Sequence, residues 1–163
     1  MIKRIVFIAG FLFASIASVQ AQEISQHALG LRLGDSKGFG AEISYQLGLS
    51  GNNRLEFDLG WRDGRNGDAI KITGIYQWVF NIDGGFNWYV GPGGGLAIVD
   101  YDDNDFPDAD TSDTFLFVAG NIGLEYNFDI PLLLSIDFRP EIGFGNNDDD
   151  LDFDIGLGIR YQF

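Results

Sequence analysis

"LDFDIGLGIRYQF", Leu151 to Phe163, closes the chain. Every second residue is apolar: Leu151, Phe153, Ile155, Leu157, Ile159, Tyr161 and Phe163. Asp152, Asp154, Gly156, Gly158, Arg160 and Gln162 lie between them. Strict period-two alternation predicts a strand with one apolar and one polar face. Free chain ends fray, so alternation kept up to the last residue predicts an end that is held.

The same pattern recurs seven times upstream. The apolar phase runs through Leu29–Leu33, Phe39–Leu47, Leu55–Trp61, Ile70–Phe80, Phe86–Ile98, Leu116–Tyr126 and Leu134–Phe144. Pro92, Gly94 and Pro140 stand in that phase, and no charged residue does. Eight strands of roughly 9–13 residues follow, the length that crosses a bilayer at a tilt. The connections "GLSGNN", "NIDGG" and "FDIPL" are short and rich in turn residues. "DGRNGD", "DYDDNDFPDADTSD" and "NNDDD" are more polar, and one of them is long.

An apolar face fits two opposite barrels. A soluble lipocalin-like binder points it inward at a ligand; a membrane barrel points it outward at lipid. The other face decides. It carries glycine in quantity, including Gly30, Gly60, Gly91, Gly93, Gly95, Gly156 and Gly158. Glycine weakens a water-facing strand, whereas the lumen of an eight-stranded barrel is narrow enough to need small residues. The charges on this face nearly balance. Arg32, Arg54, Arg62, Lys71, Arg139 and Arg160 stand against Glu42, Glu56, Asp58, Glu125, Asp137, Glu141, Asp152 and Asp154. Such a set predicts mutual pairing in a confined space, where an unpaired charge is costly. The expected lumen network comprises Arg32, Glu42, Asp58, Arg62, Asp137, Arg139, Glu141, Asp152, Asp154 and Arg160, with Asp137–Arg160 and Arg32–Asp152 or Arg32–Asp154 as bridges. The predicted fold is an all-β, eight-stranded, antiparallel up-and-down transmembrane β-barrel.

The start of the chain points the same way. "MIKRIVFIAGFLFASIASVQAQE" has Lys3 and Arg4, an apolar run over Ile5–Ala17 and the small-x-small triplet Val19-Gln20-Ala21. This is the pattern of a secretory signal peptide over residues 1–21, leaving 22–163 as the barrel domain. The alternative, one membrane-spanning helix, needs ~20 apolar residues, more than this run supplies. There is no cysteine, so the exported domain is expected to be held by backbone pairing and packing alone.

Here the residues resemble a known family. The leader, the eight alternating segments and the terminal Tyr161-Gln162-Phe163 resemble the small bacterial outer-membrane β-barrel proteins of the OmpA/OmpX-like group. "FNWYVGPGGG", Phe86 to Gly95, is similar to a common stretch of outer-membrane barrel domains. The resemblance implies a place in the cell outer membrane, reached through the periplasm, among lipid and lipopolysaccharide. It also implies that Tyr161 and Phe163, with Ile159, form the signal read by the barrel-assembly machinery during insertion. A monomer is expected. The family hosts several unrelated activities, so the fold does not name one.

In such barrels both termini lie on the periplasmic side and the longer loops face outward. That assigns residues 35–38, 62–69, 99–114 and 145–151 to the cell surface. Without its leader the chain keeps eight basic residues against 24 acidic ones, a formal charge of −16. Sixteen acids lie outside the lumen set, and thirteen of them fall in the surface loops, predicting a negative outer rim. A polyanion needs a basic footprint, which excludes nucleic acid as a partner.

The acidic loops suggest solvation first and divalent cations second. Asp100-x-Asp102-x-Asn104 begins like an EF-hand loop. Asp105 then stands where glycine belongs, and Thr111 where the bidentate Glu belongs, so it is no EF-hand. Asp100, Asp102, Asn104 and Asp105 remain candidates for a weak Ca²⁺ or Mg²⁺ site, with no other cofactor expected. The in-phase Trp and Tyr residues fit an interfacial aromatic girdle. Catalysis needs a nucleophile with a base, and the one histidine, His27, has only Ser25 near it in sequence. The chain is therefore expected not to be an enzyme. A structural or surface-binding role is expected, with a narrow, porin-like transport channel for small solutes as the alternative to it.

Overall fold

A computed structural model describes residues 24–36, 39–64, 67–100, 112–144 and 150–163. Eight strands follow in order: β1 His27–Ser36, β2 Phe39–Gly48, β3 Asn53–Gly64, β4 Gly67–Asp83, β5 Phe86–Asp100, β6 Ser112–Asn127, β7 Leu132–Phe144 and β8 Asp150–Gln162. Each pairs antiparallel with the next, and β1 pairs with β8, so the sheet is a closed barrel. The predicted architecture is the one observed.

The seam between β1 and β8 answers the question raised by the chain end. Its register runs from Ala28 opposite Gln162 to Leu33 opposite Leu157. Beyond the last strand residue, Phe163 N–H donates to the His27 carbonyl at 2.9 Å. The Phe163 ring stacks on the His27 imidazole with centroids 5.5 Å apart. His27 Nδ1 lies 2.8 Å from the Tyr45 hydroxyl on β2. The terminal aromatic is thus tied to both strands that follow it around the ring.

The two faces sort as a membrane requires. Leu31, Ile72, Leu124, Ile136 and Ile155 lie exposed on the outside, Ile155 at 66%. Arg32, Thr73, Gln77, Arg139 and Arg160 are wholly buried inside. This overturns the lipocalin-like alternative. An apolar ligand has no apolar chamber to enter, and an exterior of Leu, Ile, Phe and Trp is matched by hydrocarbon, not water.

Strand lengths depart from expectation on one side. β4, β5 and β6 have 17, 15 and 16 residues, beyond the predicted range. The stretch assigned to a loop over residues 62–69 is mostly ladder: Arg62 pairs with Ala69, Asp63 with Asp68 and Gly64 with Gly67. Polar residues suggested a loop there, but above the lipid they continue a hydrogen-bonded hairpin that water tolerates on both faces. At the terminal end the turns are tight, and Gly51 (φ 77°) and Gly84 (φ 53°) take the left-handed conformation such turns use.

The outward direction of β8 makes a direct prediction. Leu157 is 57% exposed and sits midway along the strand. Leu157→Arg should cost about 2–4 kcal/mol in urea unfolding from lipid vesicles, the penalty for a cation near the bilayer midplane. A change within error would mean that this face meets water.

Candidate functional site

The lumen is stacked with polar side chains in three tiers. Nearest the termini, Arg54 on β3 pairs with Glu125 on β6 at 2.7 Å. Its Nε donates to Gln77 Oε1 at 2.6 Å, and its guanidinium lies 4.8 Å from the Tyr89 ring centroid. Gln77 Nε2 donates onward to Asn121 Oδ1 at 2.8 Å, and Asn87 Nδ2 to Glu125 Oε1 at 3.1 Å. A recess of about 20 Å³ opens on this tier beside Gln46, Arg54, Asn87 and Glu125, the volume one water fills.

The middle tier is a network across the ring. Arg32 on β1 reaches Glu42 on β2 at 3.1 Å, Asp137 on β7 at 2.6 Å and Asp154 on β8 at 2.6 Å. Arg139 on β7 reaches Glu42 and Glu56 at 3.2 Å each and Asp58 at 2.5 Å. Arg160 on β8 reaches Glu56 at 3.1 Å, Ser44 Oγ at 2.9 Å and Ser135 Oγ at 2.8 Å. Side chains of β2, β3, β7 and β8 thus converge on three guanidiniums. Their planar, many-donor heads suit this sharing better than a lysine would.

Glycines on β8 make room for these heads. A Cβ at Gly156 would come within 2.4 Å of Arg32 Cζ, and one at Gly158 within 2.3 Å of an Arg160 guanidinium nitrogen. The glycine of the polar face is therefore space for arginine. Farthest from the termini, Lys71 on β4 pairs with Glu141 on β7 at 2.7 Å, with Nζ 5.0 Å from the Phe117 ring centroid.

The ten residues expected in a lumen network divide by depth. Arg32, Glu42, Asp58, Asp137, Arg139, Asp154 and Arg160 meet in the middle tier, and Glu141 lies in the tier above. Arg62 and Asp152 are half-buried toward the end away from the termini. Of the two expected bridges, Arg32 meets Asp154. The Asp137–Arg160 bridge is replaced: Asp137 turns to Arg32 and Arg160 to Glu56. Height along neighbouring strands suggested that pair, but long guanidinium arms reach across the lumen instead. Tyr89, wholly buried, and the lumen-facing Ile75, Val79, Phe117 and Leu133 were not anticipated. The signal was their phase: Tyr89, Ile75, Val79 and Leu133 each stand two residues from a polar lumen position, and Phe117 two from the lumen-facing Ala119.

Outside the barrel, at the far end, a different row forms. Asp63 is opposite Asp68, Asp68 opposite Asp100, and Asp100 opposite Ser112. All three aspartates are exposed, one rung beyond the outward row Trp61, Ile70 and Ile98. Like charges directly opposite on neighbouring strands repel. Asp102, Asn104 and Asp105, expected to act with Asp100 on a cation, lie outside the described residues. Among the described residues, no three acidic, histidine or cysteine side chains gather as a metal-holding group. His27 Nδ1 faces Tyr45, and Ser25 Oγ donates to the His27 carbonyl at 3.0 Å. Those two residues are spent on the barrel seam and do not form a nucleophile–base pair.

Two predictions follow from the middle tier. Arg139→Met removes a cation shared by three carboxylates, leaves Asp58 without its ion pair, and should cost about 3–5 kcal/mol in vesicle unfolding. A double-mutant cycle of Arg32→Met with Asp137→Asn should give a coupling of about 0.5–3 kcal/mol, and Arg160→Met with Asp137→Asn a smaller one.

Neither a protein-family model nor a curated protein matches the chain. Solved structures do. Neisserial surface protein A aligns with a TM-score of 0.60 at 14% identity, over 84% of this chain and 94% of its own. The N-terminal β-barrel domain of Pseudomonas aeruginosa OprF aligns at 0.59 and 18% identity, over 88% and 100%. Ail, the attachment invasion locus protein of Yersinia pestis, aligns at 0.54 and 18% identity, over 85% and 97%. At such identities the likeness is one of fold: the chain is an eight-stranded transmembrane β-barrel with the architecture these small barrels share.

Proposed function

We propose that this protein is a non-enzymatic barrel of the bacterial outer membrane that serves as a stable scaffold and presents an acidic rim at the cell surface. The observation that carries the reading is the outward row of Asp63, Asp68 and Asp100, set one rung above the lipid-facing Trp61, Ile70 and Ile98. At that height the rim meets the head groups of the outer leaflet. Carboxylates there would repel lipopolysaccharide phosphates unless a divalent cation bridges them, so the rim is suited to Ca²⁺- or Mg²⁺-mediated contact with that lipid. The tight-turn end then faces the periplasm. The residue 1–21 leader delivers the chain there, and the outward-facing Tyr161 and Phe163, 59% and 61% exposed, are accessible to the assembly machinery.

A transport channel finds less support. Three tiers of paired side chains fill the cross-section, and an eight-stranded ring leaves little else. Planar-bilayer recordings should show no sustained conductance; steady openings would favour the channel.

Cell fractionation with boiled and unboiled electrophoresis tests the placement. A band in the outer-membrane fraction that shifts on boiling is expected, with the shifted species reduced by Phe163→Ala. A soluble periplasmic band would sink the proposal. The rim is tested by refolding the barrel into vesicles with and without lipopolysaccharide. Millimolar Mg²⁺ should raise the unfolding midpoint in lipopolysaccharide vesicles, and the triple variant Asp63→Asn, Asp68→Asn, Asp100→Asn should lose that rise. An equal response in both lipids would sever the rim from lipopolysaccharide.

A further inference from the structure

The middle of the lumen carries more acid than base. Arg139 is shared by Glu42 Oε2, Glu56 Oε1 and Asp58 Oδ2. Arg32 sits on the same Glu42 oxygen and on Asp137, and Arg160 on Glu56 Oε2. Asp154 also meets Arg32 and makes a further interaction. With Asp154 left out, four carboxylates still stand against three guanidiniums. A net charge sealed from water is expensive unless something neutralises it.

Particular oxygens of this group also lack a hydrogen bond. Glu42 Oε1 and Asp58 Oδ1 are buried without a hydrogen-bond partner among the described residues. So is Thr73 Oγ1, on a residue that is 0% exposed. The register brings the three together. Thr73 is directly opposite Asp58, and Glu42 is directly opposite Gly60, two residues along the same strand from Asp58. Gly60 adds no side chain among them. Lys71, on the other side of Gly60, is drawn to Glu141 at 2.7 Å. Arg139 Nε is a further unpartnered donor of the group, which gives water a place beside it.

We infer that the lumen holds a hard cation of the Ca²⁺ class, bound by Glu42 Oε1, Asp58 Oδ1 and Thr73 Oγ1. The donors are all oxygen, from two carboxylates and a hydroxyl. Ca²⁺ accepts such a set in flexible geometry, whereas Mg²⁺ demands a near-ideal octahedron. The donors number fewer than Ca²⁺ coordinates, so water completes the shell. The ion places positive charge at the point where three carboxylates compete for one guanidinium. Side chains fill the lumen above and below, so a cation acquired during folding leaves slowly.

The test uses Ca²⁺ alone. Full-length mature barrel is refolded in millimolar CaCl2, passed into calcium-free buffer, checked for its heat shift and analysed for metal. About one tightly held calcium per barrel is expected, in keeping with a single oxygen-lined site. Asp58→Asn and Thr73→Val should each lose it. Thr73→Val keeps the volume and every ion pair, so it stays informative if Asp58→Asn does not fold. The rim triple variant Asp63→Asn, Asp68→Asn, Asp100→Asn should keep it, which separates this ion from any held at the surface. A folded wild-type barrel with only background calcium overturns the inference, as does undiminished calcium in folded Thr73→Val. In the first case protons neutralise the surplus.

Discussion

A sheet in hydrocarbon cannot have an edge, and every other feature of this protein depends on that constraint. An unpaired backbone N–H or C=O finds no water in a bilayer, so the ladder must return on itself. The seam of β1 and β8 meets that demand from Ala28–Gln162 to Leu33–Leu157. Phe163 extends it past the last strand residue through its own N–H and its ring. The chain end is therefore structural. Its aromatic side is exposed on the outside of the barrel.

Closing a ring of only eight strands creates the second condition, a lumen too narrow for a continuous water column and too polar for oil. Side chains must fill it, and buried charges must find partners. Here arginine supplies reach and glycine supplies room. Arg32 lies over Gly156 and Arg160 over Gly158, so the smallest and nearly the largest side chains alternate around one level of the ring. Neutral pairs close each end, Arg54 with Glu125 and Lys71 with Glu141. The imbalance is confined between them, which is why the middle tier, not the mouths, is the chemically unusual part of the interior.

The two ends of the barrel differ for a related reason. The terminal end is clasped by tight turns and ring contacts such as Phe80–Trp88 and Phe86–Tyr126. The other end carries β4, β5 and β6 past the apolar belt and stacks aspartates directly opposite one another. Such repulsion is tolerated only where water or a counter-ion screens it. The wall is built for lipid up to Trp61 and Ile98 and for an ionic medium beyond.

Alternation determined the strand number and which residues share a face, and the short turns between segments determined the antiparallel order. Period two is a property of the extended backbone and needs no partner to be visible. Composition determined the direction of the apolar face, since glycine and balanced charge belong in a small lumen. The long hairpins of β4–β6 were hidden, because polar residues in a ladder above the membrane look like a loop. The pairing of charges was decided by the tertiary structure. Sequence placed Asp137 and Arg160 on one face of neighbouring strands, yet Asp137 bonds Arg32 and Arg160 bonds Glu56. A guanidinium spans the lumen of so small a ring, so partners are chosen across it by distance and crowding. Those quantities exist only once the sheet has closed.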